Sequence, residues 1–138
     1  MKKCIALVLL VIFALAGTAS AAGLDFGVVL PTREETRWLG DEADFLAAIE
    51  EHGYSAQILF SQKDSATEKA NVETLISKGA KAIVLCAFDA AAAAAAVEIA
   101  HEEGIPVIAY DRIITGTDKL AYYTTFDSAA VGRAQGEF

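Results

Sequence analysis

Four side chains in this sequence could together grip a polyhydroxylated ring: Arg37, Trp38, Asp111 and Arg112. A sugar presents several hydroxyls, each both donor and acceptor, and a weakly apolar face of C–H groups. A carboxylate such as Asp111 accepts O–H bonds. Guanidinium forks such as Arg37 and Arg112 donate to neighbouring oxygens in fixed geometry. An indole such as Trp38 stacks on the C–H face. Taken singly, each has a plainer role: Trp38 as core, Arg37 as a solvated residue at a helix start, Asp111-Arg112 as a structural ion pair. What favours binding is that all four follow closely on predicted strands. Asp89 also follows one, and is a secondary candidate; it is equally placed to cap the next helix.

The motifs of covalent chemistry are missing. There is no G-x-S-x-G elbow, no G-x-x-x-x-G-K-[ST] loop and no G-x-G-x-x-G. His52 and His101 fall near predicted helix ends, where imidazole usually partners the helix dipole. Asp41, Glu42 and Asp44 are neighbours on one helix and do not have metal-box spacing. The sequence therefore predicts no enzyme, no metal and no cofactor. A formal charge of -8 argues against nucleic acid and against anionic membrane surfaces.

The elements that must position these residues alternate. Leu24 to Leu30 reads as a strand stopped by Pro31. Leu39, Ala43, Leu46 and Ile49 recur at helical spacing between Arg37 and His52. Ala56 to Phe60 is a second strand. Ser65 with Glu68 three residues on has the form of a capping box, opening a helix to Lys78-Gly79 with Val72, Leu75 and Ile76 buried. Ala80 to Ala87 is the third strand. A helix from Asp89 to Glu103 follows, containing the alanine run 90–96. Pro106 to Tyr110 and Leu120 to Phe126 are strands four and five, and Asp127 caps a final helix that runs to the end of the chain. This rhythm calls for an α/β fold, an open parallel sheet with helices on both faces, in the strand order 2-1-3-4-5. In such a sheet ligands bind outside the carboxyl ends of the strands, where the four residues above collect.

The first residues read as an address. Met1-Lys2-Lys3 is basic, residues 4–16 are almost wholly apolar, and Ala19-Ser20-Ala21 has the small side chains that signal peptidase requires. A secretory signal peptide over 1–21, cut after Ala21, is expected. Its removal takes away Lys2 and Lys3 and no acid, moving the formal charge from -8 to -10. Cys86, inside the apolar run 82–87, reads as a small buried hydrophobe.

Several of these segments resemble a known family. Leu30-Pro31-Thr32-Arg33, Arg37-Trp38, Ile108-Ala109-Tyr110-Asp111-Arg112 and Tyr122-Tyr123-Thr124-Thr125-Phe126-Asp127 look like the periplasmic sugar-binding proteins of ABC transporters. The likeness is nearest to the xylose-binding and multiple-sugar-binding (ChvE-like) branch of the type I periplasmic binding proteins. The resemblance implies that Arg37 and Trp38 supply a donor and a stacking face, that Asp111 and Arg112 bond ring hydroxyls, and that Arg33 is a basic ligand contact. Asp127 is implied to be a helix cap.

From the resemblance follow a fold, an activity and partners. Residues 22–126 correspond to a first lobe and 127–138 to the start of a second, so the lobe is expected to be incomplete and the sequence partial. The implied activity is non-enzymatic binding of a monosaccharide, such as xylose, glucose or another pentose or hexose, between two lobes. Delivery to an ABC membrane permease would follow, in the periplasm or after secretion. A chemoreceptor or sensor kinase is a further possible partner. Two other readings stay open: an effector or sensor domain of the same fold, LacI-type or chemosensory, and a small secreted α/β enzyme. A LacI-type protein would carry a helix-turn-helix where this chain has its address.

Overall fold

The computed structural model describes residues 23–138; the expected signal peptide and its cleavage site lie outside the described residues. The elements are β1 (Phe26–Leu30), α1 (Thr36–Glu51), β2 (Ala56–Phe60), α2 (Ser65–Ser77), β3 (Ala82–Leu85), α3 (Ala94–Glu102), β4 (Val107–Tyr110), β5 (Tyr122–Thr124) and α4 (Ser128–Gly136). All strand pairs are parallel, in the order β2-β1-β3-β4-β5. This is the predicted sheet.

Alternation along β1 divides the core in two. Val28 and Leu30 point to the α1 side, where they join Trp38, Phe60, Val84 and Cys86. Val29 points to the other side and joins Val72 and Leu75 of α2 and Ala96, Val97 and Ala100 of α3. Strands buried on both faces read as continuous apolar runs, which is why β1 and β3 do so. Ala93, Ala96 and Ala100, spaced three and four apart, form the small face that lets α3 lie close to the sheet. Cys86, just past β3, is fully buried, and that burial pushes its thiol pKa up to about 12.

Three local expectations are corrected. The cap of α2 is Asp64, whose Oδ1 accepts from Thr67 N–H at 2.6 Å; Ser65 is already helical. Asp64 holds the extended dihedrals that an N-cap needs, with φ -130° and ψ 121°. Residues 89–93 form turns and α3 begins only at Ala94. The Asp89 carboxylate draws the N–H groups of Ala91 and Ala92 onto itself at 2.9 and 2.8 Å, tightening the entry. Of the expected stripe on α1 only Ile49 packs on the sheet: Leu39 and Leu46 are 40% and 42% exposed, Ala43 is exposed too, and Trp38 and Phe45 join Ile49 instead. The aromatic pair Trp38 and Phe45 brings more apolar area than two leucines, so the helix turns that way. Asp127 does cap α4, accepting from Ala130 N–H at 2.9 Å, and α4 ends at Gly136.

One glycine is needed for the packing. A Cβ on Gly27 would lie 2.7 Å from Leu75 Cδ1 and 3.0 Å from its Cβ. Leu75 is fully buried and has nowhere to retreat. Gly27→Ala is therefore expected to destabilise the protein by about 1–3 kcal/mol. A denaturant melt will show a lowered midpoint with an unchanged slope.

Candidate functional site

The candidate residues follow the carboxyl ends of β1, β3 and β4, and Asp111 stands among them. It follows β4 with φ 63°, a left-handed conformation unusual for a side chain with a Cβ. The turn is closed across it, Arg112 N–H donating to Tyr110 O at 2.7 Å. Its own N–H donates to Thr124 O at 2.8 Å. Its carbonyl accepts from the hydroxyls of Thr125 at 3.1 Å and Tyr123 at 3.3 Å. Both backbone groups of Asp111 are therefore held, and that is what sustains the strained dihedral.

The turn brings the Asp111 carboxylate to Arg37 across 74 positions of sequence. Arg37 Nη2 donates to Asp111 Oδ1 at 2.6 Å. Asp41, one helical turn beyond Arg37, lies 3.9 Å from Nε and accepts from the Tyr110 hydroxyl at 3.2 Å. The hydrogen bond that Arg37 donates to Asp111 pushes the Arg37 pKa upward, so this cation stays charged. Burial, with Asp41 beside it, raises the Tyr110 phenol and keeps it protonated. The side chain of Arg37 is 50% exposed and that of Asp111 10%, so the pair has one open side.

Trp38 lies beneath this layer. It is 1% exposed, and its Nε1 donates to Glu35 Oε2 at 3.0 Å. The Arg37 guanidinium sits 4.5 Å from the ring centroid and that of Arg112 5.4 Å. The indole is thus the floor under two cations. Direct stacking of a sugar on it would require the guanidinium groups to move aside. Arg112 Nη1 also donates to Ala87 O at 3.2 Å.

The structure brings Arg37, Trp38, Asp111 and Arg112 together. It does not join Arg33 or Asp89 to them by contact. Arg33 makes a two-pronged pair with Glu42, at 3.0 and 2.6 Å, and lies 4.1 Å over the Phe60 ring. Asp89 is exposed and caps the turn before α3. Asp41, Tyr110 and Glu68 were not singled out as site residues by sequence. Asp41 had a signal, being four residues from Arg37 on one helix.

Glu68 had one as well, because it continues the Val72 and Leu75 stripe one turn upward. It is 1% exposed, and its Oε2 accepts from Phe88 N–H at 2.8 Å and Ser61 O–H at 3.3 Å. Its Oε1 has no hydrogen-bond partner among the described residues. Burial raises its pKa. The hydrogen bonds from Phe88 and Ser61 and the charge of Arg112 oppose the rise, and Asp89 adds to it. The folded state thus holds this proton more tightly than the unfolded chain. The associated stability is fully present below the ordinary value of 4.5 and is lost as pH rises through the folded value. Glu68→Gln is expected to remove that loss. Melts of parent and variant at stepped pH will diverge in favour of the variant as pH rises.

Residues 26–138 match a family described as the periplasmic binding protein domain. The multiple sugar-binding periplasmic protein SbpA of Azospirillum brasilense is 32% identical over 112 residues, covering 81% of this chain and 31% of SbpA. The multiple sugar-binding periplasmic receptor ChvE of Rhizobium radiobacter is 33% identical over 109 residues, covering 79% of this chain and 31% of ChvE. A carbohydrate transporter solute-binding protein from Chloroflexus aurantiacus, solved in complex with D-glucose, is 53% identical with a TM-score of 0.78. That alignment covers 83% of this chain and 34% of the other. A fructose-binding periplasmic domain of a hybrid two-component system is 27% identical with a TM-score of 0.69, covering 83% of this chain and 38% of the other. The chain spans about a third of the length of these relatives, which are named as binding proteins and receptors and not as enzymes. The family match across the whole sheet, and the strand order within it, mean that this chain belongs to the periplasmic binding protein family and has the fold of a type I lobe.

Proposed function

We propose that residues 22–126 are the first lobe of a solute-binding protein for an ABC-type importer, and that residues 127–138 begin a second. The lobe binds a monosaccharide, with glucose and xylose the first candidates, at the carboxyl edge of the sheet. The carrying observation is the Arg37–Asp111 pair, seated on Trp38 beside Arg112 with one side open. A carboxylate and two guanidinium groups gathered around one indole suit the vicinal hydroxyls of a sugar. Arg33 and Asp89, which follow β1 and β3, contribute on closure, when a second lobe meets the first and excludes water. Family membership supports delivery to a membrane permease, and the sequence before Ala22 supports export to the periplasm. No covalent step and no cofactor enters this reading.

The likeness to the fructose-binding domain of a two-component system supports a second reading. In it the same sugar site serves a sensor kinase or chemoreceptor. The two share the ligand and differ in the partner, so a sugar titration tests what they have in common.

Titration of the 15N-labelled protein with D-glucose and D-xylose is the test. Shifts are expected at Arg37, Trp38, Asp111 and Arg112. Asp111→Ala should weaken binding roughly tenfold or more, since hydrogen bonds to a charged group contribute about 1.5–3 kcal/mol. His101→Ala, at the far end of α3, should bind as the parent does. Sugar-induced shifts centred on His101 and unaffected by loss of Asp111 would place the site elsewhere.

A further inference from the structure

Arg112 is aimed by a single peptide group. The Ala87–Phe88 peptide lies just past β3. Its carbonyl, Ala87 O, accepts from Arg112 Nη1 at 3.2 Å. Its N–H, on Phe88, donates to Glu68 Oε2 at 2.8 Å. A peptide is a rigid plate whose N–H and C=O point in opposite directions. Rotating this plate away from Glu68 swings its carbonyl away from Arg112, so one bond cannot be lost without straining the other.

Glu68 is itself fixed. Ser61, fully buried after β2, donates its hydroxyl to Glu68 Oε2 and its N–H to Leu30 O at 2.9 Å. The carboxyl group thereby ties the ends of β2 and β3, and the Ser61 backbone joins the end of β1 to them. An exposed glutamate in the first turn of α2 would have served the helix dipole equally well. A buried one, reaching past its own helix to a loop amide, does something a dipole partner does not.

We infer that Glu68 is a positioning residue for the binding edge: through the Ala87–Phe88 peptide it sets the direction of Arg112 over Trp38. The consequence for sugar affinity rests on the function proposed above. The coupling of Glu68 to Arg112 does not.

The sequence contains one tryptophan, so indole fluorescence, excited at the red edge where tyrosine does not absorb, reports on Trp38 alone. Glu68→Met removes the acceptor and keeps the length of the side chain. Glu68→Gln keeps an amide oxygen for Phe88 N–H. The Met variant is expected to change the Trp38 signal and the Gln variant to retain it. In an Arg112→Ala background the Met substitution should change nothing further. A Trp38 signal that responds to Glu68→Met equally with and without Arg112 would overturn the inference, as would a Gln variant that behaves like Met.

Should Glu68→Met fail to fold, amide exchange answers without touching Glu68. Arg112→Ala should speed exchange at Phe88 N–H by about tenfold while leaving Val72 unchanged. Equal exchange at Phe88 in parent and variant refutes the coupling. Titration with D-glucose closes the argument: Glu68→Met should weaken binding about tenfold and Glu68→Gln no more than about twofold. Coupling without any glucose binding would sink the proposed function and leave the positioning role standing. Glucose binding without coupling would do the reverse.

Discussion

Five strands running in one direction must all finish at one edge, and the chemistry of this protein depends on that constraint. At each finish the sheet ladder stops and leaves backbone donors and acceptors to be satisfied by something else. The Ala87 carbonyl is taken by Arg112 and the Phe88 amide by Glu68. The Asp111 carbonyl is taken by Tyr123 and Thr125 from the neighbouring strand and the loop after it. The side chains that complete the sheet are therefore among those that shape the binding surface, and packing and recognition share atoms here.

An acidic chain presents three arginines at this edge, and two of them are matched. Arg33 faces Glu42, and Arg37 faces Asp111 and Asp41. Arg112 leans on a carbonyl and an aromatic ring. Oriented pairs of this kind are already partly dehydrated, so covering them costs less than covering isolated charges. A neutral polyol can join such a lattice through its hydroxyls without breaking it.

How much of this was legible in the sequence depended on how local the signal was. The strand order followed from apolar runs alternating with helical spacing, because right-handed crossovers leave few other arrangements. Arg37, Asp111 and Arg112 were legible because each adjoins a strand end or helix start. Their partners were not: nothing local links Arg37 to a residue 74 positions away, and the pairing exists only because β1 and β4 flank β3. The face of α1 was misjudged since spacing alone cannot choose between a leucine stripe and the stripe through Trp38 and Phe45. The box of Ser65 and Glu68 was misjudged for a related reason. Dihedrals decide which residue caps, and Asp64 has them; Glu68, freed from that duty, turns inward. The open role of Trp38 as a stacking platform was drawn from residue type, and the folded chain lays two guanidinium groups across it.

The buried thiol of Cys86 adds a kinetic property. It stands at the end of the middle strand of the sheet, fully covered, with a pKa of about 12. Only a thiolate that meets solvent can be alkylated or oxidised. In the folded protein neither condition is met, so a thiol reagent waits for β3 to come apart from its neighbours. The rate at which Cys86 is consumed is then a clock for the opening of the sheet centre. In an oxidising surrounding, the same clock sets how long each molecule survives before it is trapped as a mixed disulfide.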